Sequence, residues 1–104
     1  WATRAQMMTA FAEYSRDNYD ETIVAAERFI RLHPGHKDLP YMYYLKGLSF
    51  YERISDVKRD QGHTREALHV FQELVRRYPN SKYARDAKLK ITLCLATYLA
   101  KLLT

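Results

Sequence analysis

The chain has 104 residues, of which 47% are apolar, so it can bury one continuous core and form a single domain. Glycine and proline number only three each, which leaves few turns for a sheet of short strands and favours helices joined by short loops. The net charge of +5 could indicate nucleic acid, but Lys and Arg alternate with Asp and Glu, which is typical of solvated helix faces.

Two segments repeat along the chain, ETIVAAERFIRLHPGHK and EALHVFQELVRRYPNSK, with Pro34 and Pro79 at equivalent places 45 residues apart. In both segments apolar residues recur at helical spacing up to the proline, and a second helical pattern follows. Such helix–turn–helix units bury their apolar faces by stacking on their neighbours. Gly47, Phe50 and Ala67 also occupy places typical of tetratricopeptide (TPR) repeats, so the sequence resembles that family. The resemblance predicts an all-α TPR solenoid of antiparallel helix pairs, with about five helices.

The first repeat is predicted over residues 3–36 and the second over residues 38–80. The first helix of the second repeat is apolar on nearly every side, which requires burial all round or a bound partner. With Gly47 at the small packing position, the TPR register directs Tyr43 and Phe50 to the core. It directs another set of side chains on the first helix of each repeat to a concave groove: Arg4, Met7, Phe11, Tyr14, Tyr41, Tyr44, Leu48 and Tyr51.

Aromatic side chains dominate this predicted groove, with a few cations beside them. Tyrosine offers a large apolar face with a polar tip, so the groove would suit an extended peptide with apolar side chains and a terminal carboxylate. The alternative is that each aromatic only packs against a neighbouring helix, and this alternative stays open for every residue of the set.

A charged connection interrupts the second repeat, which is longer than the TPR unit of about 34 residues. Most of the extra residues fall at 54–62, and long connections in compact folds tend to be functional or mobile. We therefore predict a partner-binding loop that contains Asp56, Lys58, Arg59 and Asp60. Thr64 and Ser81 are predicted to cap the helices that follow, because their hydroxyls can accept hydrogen bonds from first-turn amides.

The last helix, residues 81–103, is predicted to open a further repeat. Cys94 lies in its apolar run and is expected to be a buried, unreactive thiol, since a lone cysteine forms no internal disulfide. The run is shorter than the roughly 20 residues of a membrane span. Without a neighbouring helix its apolar surface would be exposed, which predicts self-association.

No group of residues in the sequence has the spacing of a catalytic site. His33 and His36 are separated by Pro34 and Gly35, and no Cys or carboxylate joins them at ligand spacing, so we do not predict a metal site. The phosphate-binding and hydrolase motifs are absent from the sequence. We expect a protein that is not an enzyme and that uses neither a cofactor nor a small-molecule substrate.

Three segments carry a closer resemblance: RFIRLHP, YYLKGLS and YPNSKYARDA. Together with the charged loop, they make residues 5–90 similar to the BamD family of TPR lipoproteins, some of them also described as ComL-type competence lipoproteins. The resemblance implies a periplasmic location at the outer membrane of a Gram-negative bacterium, with a lipid anchor on an upstream cysteine that this sequence lacks. Because family members have about five repeats, this sequence would be a middle portion.

The resemblance also implies the leading functional hypothesis, a scaffold of the outer-membrane β-barrel assembly machinery. Its partners would be other assembly subunits and unfolded outer-membrane proteins, with the membrane reached only through the anchor. Two rival hypotheses stay open. One is a generic periplasmic TPR adaptor for cell-envelope partners, and the other is a DNA-uptake lipoprotein that binds nucleic acid.

Overall fold

The structure is a computed structural model that describes residues 2–53 and 62–103. Within these ranges the chain forms five α-helices and no β-strand. Each helix packs on the next, and α3 also contacts α1 and α5, in a stack that measures 49 × 29 × 19 Å. The predicted all-α helical-repeat fold is therefore confirmed. The helices are α1 (Ala2–Ser15), α2 (Tyr19–Leu32), α3 (Leu39–Glu52), α4 (Gly62–Arg77) and α5 (Lys82–Leu103).

Burial follows the 45-residue spacing of the sequence repeat. The buried residues Thr22, Ala26 and Phe29 of α2 correspond to buried Ala67, Phe71 and Leu74 of α4. In the same way, Leu39, Met42 and Ser49 of α3 correspond to buried Ala84, Ala87 and Cys94 of α5. Equivalent positions in the two copies therefore make equivalent packing contacts, which is the basis of a stacked repeat.

The core consists of two clusters that meet at α3. The first joins α1, α2 and α3 around Phe29, Met42 and Leu45, and the second joins α3, α4 and α5 around Phe71 and Leu74. The interior is close-packed where α3 meets α4, because a Cβ atom on Gly47 would lie 2.5 Å from the Phe71 ring. The small side chain expected at position 47 is thus required by the ring opposite it.

The register of α3 differs in part from the expected one. Tyr43 and Phe50, predicted to point to the core, are only half-buried at the edges of the clusters. The fully enclosed side chains on α3 include Met42, Leu45 and Ser49. The reason is that α3 packs between α2 and α4 and has no exposed residue from 39 to 51, so a single predicted core face does not describe its burial.

The ends of the helices show which predicted caps form. The Ser81 hydroxyl accepts a hydrogen bond from the Ala84 amide at 3.0 Å, so Ser81 caps α5 as predicted. The cap predicted at Thr64 is wrong, because α4 already begins at Gly62 and the buried Thr64 hydroxyl has no hydrogen-bond partner among the described residues. At the end of α1, Asp17 adopts a left-handed φ of 64°, and the Asn18 amide donates to the Glu13 carbonyl at 2.9 Å, as in a Schellman motif.

Candidate protein-binding surface

The predicted groove residues lie on α1 and α3, on the side where these helices approach each other and α5. Their spacing in each helix alternates three and four residues, which places them along one face. The structure nevertheless divides them into two groups. One group borders an open cavity between α1 and α3, and the other is covered by α5.

The open group lines a shallow cavity of about 360 Å³, which we call the α1–α3 cavity. Its walls are Arg4, Met7, Met8, Phe11 and Tyr41. Phe11 is 54% exposed and Met8 is 63% exposed, while Met7 and Tyr41 are half-buried against the first core cluster. The structure thus brings four of the predicted groove residues together, and it adds Met8, which was not among them.

Arg4 supplies the charge of the α1–α3 cavity. It is exposed, and it has no hydrogen bond or ion pair to any residue in the described ranges. A guanidinium that is not used inside the protein can donate two parallel hydrogen bonds to a carboxylate. The cavity thus combines exposed apolar side chains with one available cation.

Tyr14 lies outside this cavity, although it was predicted to line the same groove. It packs on the first core cluster, and its ring meets the Tyr19 ring edge to face with the centroids 5.7 Å apart. Burial, with a smaller contribution from nearby Glu52, raises the pKa of Tyr14. Its contacts are those of a residue that fixes the end of α1.

The covered group is Tyr44, Leu48 and Tyr51, which all pack against the second core cluster. The Tyr44 hydroxyl donates a hydrogen bond to the Asp86 carboxylate of α5. Asp86 is also paired with Lys90 at 3.0 Å, and the Lys90 ammonium lies 5.4 Å from the centre of the Tyr51 ring. These side chains pack α3 against α5. They therefore fit the alternative stated above, in which the aromatic residues pack against a neighbouring helix and do not line a groove.

The pairing of Tyr44 with Asp86 alters the ionisation of both groups. Burial and the hydrogen bond to Asp86 raise the pKa of Tyr44, so its hydroxyl keeps its proton throughout the physiological range. The hydrogen bond from Tyr44, with help from Lys90, lowers the pKa of Asp86. A charged carboxylate therefore holds α3 and α5 together at neutral pH.

Tyr83 is an aromatic residue of this surface that the groove prediction missed. Its ring centre lies 5.4 Å from those of Tyr41 and Tyr44, so it extends the aromatic surface from the α1–α3 cavity to α5. The 45-residue spacing pairs Tyr83 with Asp38, which is not aromatic, so repeat equivalence could not identify it. The signal that could have identified it is its place in the segment SKYARDA, one residue after the start of α5.

The predicted partner loop, with Asp56, Lys58, Arg59 and Asp60, lies outside the described residues. In the ranges that are described, no three His, Cys, Asp or Glu side chains are grouped so that they could hold a metal ion. His33 instead forms a 2.8 Å hydrogen bond with Gln6, and the His36 ring accepts one from the Asp38 amide. Both imidazoles therefore serve in local structure.

Cys94 is fully buried, and burial raises the pKa of its thiol. Because the thiolate is the reactive form, a raised pKa makes the side chain a poor nucleophile. The expectation of a buried thiol is confirmed.

Comparison with known proteins identifies the family of this chain. A family model described as an outer membrane lipoprotein, YfiO, matches residues 1–102. The chain belongs to the YfiO family. Similar relatives are named outer membrane protein assembly factor BamD: the protein of Caulobacter vibrioides is 46% identical over 91 residues, that of Rickettsia prowazekii is 41% identical over 90 residues, and that of Neisseria gonorrhoeae is 42% identical over 100 residues.

These matches cover 88%, 86% and 86% of this chain but only 30%, 36% and 38% of the three relatives. The chain therefore spans about a third of the length of the relatives it matches. Membership in the YfiO family places the protein on the periplasmic side of the outer membrane of a Gram-negative bacterium, as the resemblance implied. None of the helices in the described part of the chain is long and apolar enough to cross a membrane.

Proposed function

We propose that this chain is a protein-binding part of an outer-membrane protein assembly factor, and that it acts without catalysing a reaction. The names of the BamD relatives support assembly over the alternatives of a general adaptor or a nucleic-acid-binding protein. In this proposal the α1–α3 cavity binds apolar segments of unfolded barrel proteins. The charged loop with Asp56, Lys58, Arg59 and Asp60 contacts partner subunits.

The proposal rests on the exposure of Phe11 and Met8 beside Tyr41 and Arg4, whose guanidinium has no partner among the described residues. Large apolar side chains that stay exposed and adjacent are typical of interaction surfaces. An extended peptide could place apolar side chains on Phe11 and Met8 while its carboxylate, at the terminus or on a side chain, binds Arg4. Tyr41 loses little rotamer entropy on binding, because it is already half-buried.

The contacts in the structure decide which groove residues should be substituted in a binding experiment. Truncation of Tyr44 or Tyr51 would remove packing between α3 and α5, so lost binding could reflect a disturbed fold. Phe11 and Met8 are more than half exposed, and their truncation leaves the core clusters intact. They are therefore the better test of the groove.

The experiment is a pull-down with the full-length protein, scored separately for assembly subunits and for an unfolded barrel protein. We expect Phe11→Ala with Met8→Ala to reduce capture of the barrel protein about tenfold, the change that about 1.4 kcal/mol of binding free energy produces. Val24→Ala is the matched control, because Val24 is 62% exposed on α2 and lies outside the cavity. Capture that survives the double substitution would exclude the cavity as the substrate site.

A further inference from the structure

A second concave surface lies between α2 and α4, with α3 at its base. This α2–α4 cleft has a volume of about 370 Å³, and its apolar floor consists of Ile30, Tyr43 and Val70. It is on the other side of α3 from the α1–α3 cavity: Tyr43 borders the cleft and lies about 200° around the helix from Tyr41, which lines the cavity. A molecule bound in the cleft would therefore leave the α1–α3 cavity free.

The carboxylates at the rim of the cleft already have partners within the chain. Glu27 pairs with Lys46 of α3 at 3.7 Å. Glu73 pairs with Arg76 at 2.8 Å and with Arg77 at 2.5 Å, and these hydrogen bonds lower the pKa of Glu73. Neither carboxylate is left to attract a basic ligand.

Two basic side chains at the same rim have no such partner. Arg31 of α2 and His69 of α4 are exposed, and neither forms a hydrogen bond or ion pair with any residue in the described ranges. They stand on the two helices that border the apolar floor. The cleft thus offers the positive charge of Arg31 on one side and the His69 imidazole on the other side of a groove that can take apolar side chains.

We infer that the α2–α4 cleft docks an acidic amphipathic helix of a partner protein. Apolar side chains of that helix pack on Ile30 and Val70, and a neighbouring carboxylate binds the Arg31 guanidinium, with His69 as a second donor. An acidic partner is favoured because the rim carboxylates are neutralised internally while the cation Arg31 is not. The inference is independent of the proposed function, since it concerns a different surface and either one can fail alone.

The test is a titration of the protein with a synthetic helical peptide, followed by NMR of the methyl groups. The probe carries leucine at helical anchor spacing and glutamate at its other exposed positions, and two companion peptides replace glutamate with lysine or leucine with serine. We expect the glutamate and leucine peptide to shift the Ile30 and Val70 methyl resonances but not that of Met8. Both companion peptides should bind at least tenfold more weakly, since each lacks one of the two required features.

Arg31→Glu should weaken binding of the probe about tenfold, because it replaces the attractive charge with a repulsive one. Arg28→Glu is the matched control, since Arg28 is an exposed arginine on the same helix that borders a different cavity, and it should change the affinity by less than about twofold. Equal binding of the lysine or serine peptide would overturn the inference, as would shifts centred on Met8 or no binding of the probe. Preferential binding of anionic phosphatidylglycerol vesicles at Arg31 would also overturn it.

Discussion

At the scale of single residues, the contact between Gly47 and Phe71 shows how tightly α3 and α4 are packed. The space that a side chain at position 47 would occupy is filled by the edge of an aromatic ring from the next helix. Gly35 lies instead in the turn after α2, and a Cβ atom added there would have no other atom within 4 Å. The two glycines therefore form a natural comparison.

We predict that Gly47→Ala destabilises the protein by about 1 kcal/mol, although alanine favours helices. Alanine gains about 1 kcal/mol of helix propensity over glycine, whereas overpacking against a ring costs about 1–3 kcal/mol. The steric cost should prevail, because the added atom would lie 2.5 Å from Phe71. Urea unfolding measures the change, and Gly35→Ala should be neutral or slightly stabilising. Equal effects of the two substitutions would contradict this view of the contact.

Tyr44→Phe should lower the free energy of unfolding by about 1 kcal/mol at neutral pH, since it removes the hydrogen bond to Asp86. The folded-state pKa of Asp86 is lowered, so its contribution is full above its ordinary pKa of 3.8 and is lost as the pH falls below that value. The difference between the wild type and the variant should therefore shrink in acid. Unfolding measured against pH tests this. Tyr51→Phe is the control, because the Tyr51 hydroxyl has no hydrogen bond to the described residues.

At the scale of helices, the sequence could predict the elements whose burial is one-sided. The second helix of each repeat, α2 or α4, has one apolar stripe and is followed by a proline. The sequence therefore predicts both the helix and the place where it ends. Helix α3 has no exposed residue from 39 to 51, so its sequence pattern did not distinguish the fully enclosed side chains from the half-buried Tyr43 and Phe50. Whether Tyr44 and Tyr51 face solvent depends on where α5 lies, and no local pattern in α3 contains that information.

Removal of two hydroxyls near helix starts should change the stability of the protein in opposite directions. Ser81→Ala should cost about 1 kcal/mol of stability, because the Ala84 amide loses its capping acceptor. Thr64→Val should raise stability by up to about 1 kcal/mol, because it replaces a buried hydroxyl that has no hydrogen-bond partner in residues 2–53 and 62–103. Thermal unfolding of both variants checks the pair. A destabilising Thr64→Val would mean that the Thr64 hydroxyl is hydrogen-bonded in solution.

At the scale of the whole molecule, the repeat exposes an apolar face of α5 in the part of the chain that the structure describes. Leu89 and Leu93 of α5 occupy the places of Tyr44 and Leu48 of α3, which α5 covers. In α5 these leucines are 66% and 50% exposed. The exposure expected from the apolar sequence of the last helix is confirmed, and its physical reason is that the same packing position recurs one repeat later.

This exposed face should make the 104-residue chain associate with itself. Sedimentation velocity should show an average mass that increases with concentration, because burial of adjacent leucines is favourable. Leu89→Lys with Leu93→Lys should keep the chain monomeric without loss of helicity, and Val24→Lys should leave association unchanged. A wild-type chain that stays monomeric at high concentration would contradict the prediction.

We propose that the α1–α3 cavity binds segments of unfolded outer-membrane proteins. The most direct measurement is a titration of the chain with a fluorescent peptide that copies the last strand of an outer-membrane barrel. We predict saturable binding that Phe11→Ala and Arg4→Ala each weaken, by about tenfold and about threefold, while Val24→Ala has no effect. Binding that is unchanged by both Phe11→Ala and Arg4→Ala would contradict the claim.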